Sequence, residues 1–307
     1  MEIREYQGEI EELYQLWRKV AKERPGAIEK DIEQFEKENL QSGAEDGKCF
    51  TASEDNNLIG ASIIQHKQRE GTPYMDFIVS ERRLNSEFSK KLLEKTIDYC
   101  KEEGKSKLEL SPKIYSERFL EFFREKGFEE DEKYPSGLWM RKELENISEI
   151  EIPEGIEMLS ADGFGDPVSA EDIAEIQRGE YPPGYDFEDI VALLKKMDRE
   201  RDELLYTVAE SKEDGEFVGY SRTMFVDLIS GESIAHNMGL AVKEGYRNEG
   251  IGKALLQKSF KEVKKKGYDT MYISTHSNNP AQRLYKRVGF EVEREHPNLC
   301  YKINNHG

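Results

Sequence analysis

Short apolar runs and amphipathic stretches alternate along this chain, and they do so twice in the same order. Phe50-Thr51-Ala52-Ser53 and Leu58-Ile59-Gly60-Ala61-Ser62 flank the polar turn 54–57, and Tyr206-Thr207-Val208-Ala209 and Phe217-Val218-Gly219-Tyr220-Ser221 flank the turn 211–216. Each pair predicts two strands joined by a turn. Further on, Lys90 opens Lys-x-Leu-Leu and is followed fourteen residues later by Gly104, while Lys253 opens the same pattern fourteen residues before Gly267. Both glycines stand where a C′ residue stops a helix, so two helices of equal length are expected. Aligning Val79 with Val242 brings these segments into register without a gap. Strands are predicted next at Lys107–Leu110 and Tyr268–Ile273, then a helix at Ser116–Lys126, and Gly127-Phe128 echoes Gly289-Phe290. In the helix over 250–266, Ile251, Ala254, Leu255 and Val263 suit an inner face, and Lys261, Lys264, Lys265 and Lys266 suit solvent and the negative helix end.

The chain therefore reads as two similar α/β halves. A junction is expected within Glu145–Gly155, where charged residues and Pro153 interrupt regular structure, giving domains over 1–148 and 149–307. The second domain would begin with a strand at Ile156–Leu159. It continues with helices around Ala170–Arg178 and Phe187–Arg199, separated by Tyr181-Pro182-Pro183-Gly184-Tyr185, which cannot be continuous helix.

Composition narrows the chemistry. At 307 residues the chain is long enough for two cores, and 63 acidic against 45 basic residues give a formal charge of −18. Such a surface repels phosphate backbones, which argues against nucleic-acid binding, and welcomes amines. Cys49, Cys100 and Cys300 are odd in number and far apart, as expected of reduced thiols. No apolar run is long enough to cross a membrane and the start lacks a leader pattern, so a soluble cytoplasmic protein is expected. The five histidines lack ligand spacing, no Gly-x-Ser-x-Gly or Gly-Lys-Ser/Thr motif occurs, and no metal is implied.

The chemistry concentrates after Val242. Arg247-x-x-Gly250-x-Gly252 joins a strand to a helix, and its glycines allow close backbone approach to a ligand. The first N–H groups of the new helix point at that ligand, and Arg247 adds charge, a combination suited to a pyrophosphate. Downstream stands Asn278-x-x-Ala281-x-x-Leu284-Tyr285, followed by Gly289-Phe290. The two segments, in this order, resemble the signatures of the GNAT superfamily of acyl-CoA-dependent N-acyltransferases. That resemblance implies tandem α/β domains, each a mixed, mostly antiparallel sheet flanked by helices, with acetyl-CoA as acyl donor and an amine as acceptor.

By the same resemblance, Arg247, Asn248, Glu249, Gly250, Ile251, Gly252 and Lys253 would hold the pyrophosphate. Leu240, Ala241 and Val242 would offer main-chain groups to the pantetheine arm where two strands splay. Tyr285 would be the general acid for the leaving thiolate, and Tyr181 and Tyr185 would either wall the acceptor pocket or sit in a plain interhelical turn. Asn278 either contacts pantetheine or caps the next helix. For the base, alternation places His236 on the face of Leu240 and Val242, and Glu232 and His276 are further titratable choices. The first half has Leu84, Glu87 and Ser89 at the positions of Arg247, Gly250 and Gly252, so it is expected to lack a cofactor site. A non-catalytic acyl-CoA sensor is the alternative to an enzyme.

Overall fold

In a computed structural model the described residues are 1–7, 10–24, 26–40, 48–66, 72–111, 115–131, 135–178, 186–199 and 203–303. The loop with Tyr181 and Tyr185 lies outside them. In chain order the first half gives β1 (Glu2–Glu5), α1 (Ile10–Ala21), α2 (Ile32–Asn39), β2 (Lys48–Glu54), β3 (Asn57–His66) and β4 (Pro73–Ile78). It continues with α3 (Glu87–Glu102), β5 (Lys107–Leu110), α4 (Glu117–Glu125), β6 (Glu129–Glu130) and β7 (Gly137–Glu143). The second half gives β8 (Ile156–Asp162), α5 (Ala170–Ile176), α6 (Phe187–Arg199), β9 (Leu204–Ser211), β10 (Phe217–Asp227) and β11 (Ser233–Val242). After these come α7 (Ile251–Lys265), β12 (Thr270–His276), α8 (Gln282–Arg287), β13 (Glu291–His296) and β14 (Leu299–Lys302).

Local chemistry accounts for the paired pattern. The Gly-Phe echo is a helix stop used twice: Phe128 N–H donates to Phe123 O, and Phe290 N–H donates to Tyr285 O, across left-handed Gly127 (φ 86°) and Gly289 (φ 96°). In each case the phenylalanine ring then packs on the aromatic residue whose carbonyl it caps, with centroids 4.9 and 6.2 Å apart. The paired helices are nearly equal, with α3 at 16 residues and α7 at 15, because α3 begins one position earlier, after a serine cap.

The fold is two seven-stranded mixed sheets flanked by helices, as expected. The first has the order β1-β2-β3-β4-β5-β14-β6, with β4 and β5 parallel. Its two faces bury separate cores: Ala61, Ile63 and Ile78 pack with α1 and α2, while Ala52, Ile64, Met75 and Phe77 pack with α3 and α4. The second has the order β13-β7-β12-β11-β10-β9-β8, with β11 and β12 parallel. Leu256, Phe260 and Val263 of α7 cover one face of it.

The division of the chain differs from the expected one at 148/149. One compact unit comprises Met1–Gly137, Leu228–Glu232 and His296–Gly307, and the other comprises Leu138–Asp227 and Ser233–Glu295. The reason is strand exchange. β7, which precedes the junction, inserts between β12 and β13, and β14, at the far end of the second half, inserts between β5 and β6. Leu138 and Met140 thus belong to the second core, and Leu299 and Ile303 to the first. A hydrophobic pattern marks β7 and β14 as strands but carries no address for the sheet they join.

Ending the chain at His296 should therefore damage the sheet built mainly from the first half. It removes Leu299, Cys300 and Ile303, all under 5% exposed, and roughly 1.5–3 kcal/mol of burial for each large side chain. Hydrogen exchange should show protection lost in β5 before β12; unchanged β5 protection would contradict the assignment.

Candidate active site

The site is built where two parallel strands part. β11 and β12 pair only through Ala235/Met271, His236/Tyr272 and Asn237/Ile273. From Met238 to Val242, β11 has no β12 partner among the described residues, while Gly239–Val242 stay paired with β10. The register with β10 slips between Arg222 and Thr223, so Met238 is the extra residue of a bulge. A bulge bends its strand and re-aims the side chains beyond it.

The open edge leads into the turn before α7. Arg247 Nε donates to Val242 O at 2.8 Å, folding the exposed arginine back over the strand end. Asn248 and Gly250 are both left-handed (φ 69° and 89°), and Gly250 is the N-cap of α7. No side chain caps this helix and its first turn holds no acidic residue. Its leading N–H groups and the positive end of its dipole are thus available to an anion. Gly252 lets α8 approach closely, since a Cβ there would stand 3.1 Å from Leu284 Cδ2.

Tyr285, on α8, is 6% exposed. It joins the core cluster with Leu256 and Phe260, and burial pushes its hydroxyl up to about 12. It therefore holds its proton throughout the physiological range.

With this geometry in place, comparison with known proteins is decisive. Residues 10–128 and 170–290 both match the model of the acetyltransferase (GNAT) family. The chain belongs to the GNAT acetyltransferase family. An N-alpha-acetyltransferase of Sulfurisphaera tokodaii is 36% identical over 128 residues, which cover 39% of this chain and 72% of that protein. Among solved structures, a tandem GNAT protein from the clavulanic acid biosynthesis pathway is similar with a TM-score of 0.75 at 13% identity, covering 100% of this chain and 99% of that one. A GCN5-related N-acetyltransferase from Sphaerobacter thermophilus has a TM-score of 0.67 at 16% identity, covering 98% and 95% of the two chains. This GNAT chain is an acyltransferase with two copies of the fold.

The bulge corrects one expectation. Leu240 packs with Ala254 and Leu255 on the α7 side, and Val242 adjoins the same cluster. His236 lies on the opposite face, its ring 4.7 Å from that of Trp139 and its Nε2 3.0 Å from Ser274 Oγ. Simple alternation places His236 with Leu240 and Val242; the extra residue at Met238 reverses the phase. His276 is exposed and hydrogen-bonded to Asn278. Glu232 precedes the ten-residue β11 and so sits at the end of that strand away from the Arg247 turn. Asn278 does not cap the following helix, which has no side-chain cap; its Oδ1 is hydrogen-bonded to His276, and Asn279 Oδ1 accepts from Ala281 N–H at 2.9 Å in the turn before α8. Trp139, stacked on Tyr272 with centroids 5.0 Å apart, stands beside His236 and was not foreseen there, because it arrives on the exchanged strand β7.

The first unit shows the same architecture filled by its own side chains. At the start of α3, Ser86 Oγ caps Ser89 N–H, and both serine hydroxyls donate to Arg83 O, at 2.5 and 2.7 Å. Glu87 adds a carboxylate to the first turn. β4 and β5 pair at Tyr74/Glu109 and Met75/Leu110, and Ser111 N–H reaches Met75 O. The next carbonyl along that edge, Phe77 O, instead accepts from Arg24 Nη2 at 2.6 Å. Arg24 also pairs with Asp76 at 2.8 Å, side chains 7% and 1% exposed, beneath the ring of Tyr115. The gap between the parting strands is thus plugged from within.

Arg24→Ala should cost about 3–5 kcal/mol in denaturant unfolding, because it leaves Asp76 buried without its counter-charge. The double change Arg24→Met with Asp76→Leu should recover most of that loss. Additive single effects would show that the pair does not act as a unit.

Proposed function

We propose that the second unit is an acetyl-CoA-dependent N-acetyltransferase with one cofactor site per chain, acting on a primary amine. The contrast between the two helix starts carries this reading. α7 begins uncapped, on left-handed Gly250, without acidic residues, whereas α3 begins with its donors satisfied by serine and a carboxylate in place. The 36%-identical N-alpha-acetyltransferase supports an amine acceptor.

In this reading the leading N–H groups of α7, from Gly250 to Lys253, hold the pyrophosphate with Arg247, while Asn248 and Glu249 shape the turn through their backbone. The unpaired edge at Leu240, Ala241 and Val242 receives the pantetheine arm, with Asn278 beyond it. Acetyl-CoA, when bound, supplies an acetyl group activated as a thioester. His236, hydrogen-bonded to Ser274, takes the amine's proton in this reading.

Tyr285 serves the departing sulfur. With its hydroxyl up at about 12, complete proton transfer to a thiolate of ~8.5 would be uphill by about 5 kcal/mol. Its role is therefore to donate a hydrogen bond in the transition state, with solvent completing the protonation.

Release of free thiol from acetyl-CoA in the presence of amines, together with a calorimetric stoichiometry of one per chain, tests the whole reading. Two equivalent sites would refute the single-site assignment. Gly250→Asp should bind acetyl-CoA about tenfold or more weakly than Gly250→Asn. Both residues tolerate a left-handed backbone, so the difference isolates one negative charge at the helix start. Equal affinities would remove this helix start from the site.

Tyr285→Phe should lower kcat by ~10²-fold with acetyl-CoA affinity unchanged. The wild-type rate should show no alkaline loss from this group near pH ~10, where an ordinary tyrosine ionises. Burial holds the proton until about 12. A fully active phenylalanine variant, measured where chemistry limits turnover, would exclude the hydroxyl.

A further inference from the structure

The face of the second sheet turned toward α5 and α6 contains a buried cation that no acidic side chain balances among the described residues. Arg222, on β10, is 6% exposed. Its Nη1 lies 3.9 Å from Met197 Sδ of α6, and its Nε has no hydrogen-bond partner among the described residues. No carboxylate forms an ion pair with it among those residues. Arg24 is buried to a similar degree, at 8% exposure, but is matched by Asp76. The chain carries 63 acidic residues, and none of the described ones pairs with Arg222.

Its neighbours place it beside the reacting groups. Tyr206 stands directly across from Arg222 on β9, and Gly239 directly across on β11, one residue past the bulge. Two positions along the same face of β10 is Met224, whose cross-strand partner is His236. Arg222 and His236 are thus diagonal neighbours, roughly 7–8 Å apart at the backbone and within reach of long side chains. In the other direction along that face Tyr220, bonded to Gln177, fixes the sheet to the end of α5.

A buried unpaired charge destabilises a fold by several kcal/mol, so such a group is expected where a ligand completes it. We propose that Arg222 binds a carboxylate on the acceptor, so that the favoured substrates are amines that also carry a carboxylate, free amino acids first among them. This rests on the N-acetyltransferase reading above. The planar guanidinium can hold a carboxylate through two parallel hydrogen bonds, and this fixes the amine's direction as well as its affinity.

The test compares free amino acids with their carboxamides in the wild type, Arg222→Met and Arg222→Lys. The wild type should favour the acids roughly 10- to 100-fold in kcat/KM, although the amide's amine is the weaker base and is more often unprotonated. Arg222→Met should lose that preference, the KM for the acids rising far more than that for the amides, and should unfold at a higher temperature than wild type. Arg222→Lys should retain part of the preference. Peptides beginning with Asp or Glu, set against Asn or Gln counterparts, distinguish a side-chain carboxylate from an α-carboxylate. Equal use of acids and amides by the wild type, or a preference that survives in Arg222→Met, would overturn the proposal while leaving N-acetylation intact. Calorimetric binding of free amino acids that is lost in Arg222→Met would support it even where no transfer occurs. If Arg222→Met fails to fold, Arg222→Lys decides: an acid preference equal to wild type would overturn the assignment and a reduced one would support it.

Discussion

Two adjacent parallel strands that separate before either ends leave main-chain donors and acceptors facing a gap, and every such group must find a partner. Both sheets contain this gap, after Met75 in β4 and after Asn237 in β11. Their solutions differ. In the first, Arg24 fills it and takes Phe77 O, with Asp76 balancing the introduced charge. In the second, the edge remains open and continues into a helix start without a cap. One backbone problem thus gives a filled gap in one copy and an unpaired strand edge, among the described residues, in the other.

Much of this was legible in the sequence because it depends on local chemistry. The glycine-lined turn before α7, the helix stops at Gly104 and Gly267, and the inner face of α7 all follow from residue type and spacing. So does the missing cofactor motif at Leu84, Glu87 and Ser89. Features set by distant contacts were not legible. The phase of β11 depends on one extra residue at Met238, which has no signature in the residue pattern. The plug depends on Arg24 reaching a strand some fifty positions later, at Asp76. Arg222 did leave a trace, as a single cation inside the otherwise uncharged run 217–226, but periodicity alone does not show that it is buried without an ion-pair partner among the described residues.

Burial also changes the chemistry that a motif appears to promise. A tyrosine at the position of Tyr285 reads as a proton donor of ordinary strength. Packed against Phe290 and the α7 core, it becomes a weaker acid that holds its proton more firmly. The helix-stop hydrogen bond from Phe290 N–H to the Tyr285 carbonyl holds the backbone there, and the Phe290 ring packs on that of Tyr285. Position is gained at the expense of acidity.

The insertion of β14 between β5 and β6 also bears on the order in which the protein can be made. β6 ends at Glu130 and its partner begins at Leu299, so roughly 170 residues must be synthesised before the first sheet can close. At ~5–20 residues per second this leaves β5 and β6 without their intervening strand for about 10–30 s. The unit encoded first is therefore the one completed last. During that interval its open strand edges are available to neighbouring nascent chains as well as to its own distant end. The number of ribosomes translating one message, and the chaperones attending them, thus become determinants of the yield of correctly paired protein.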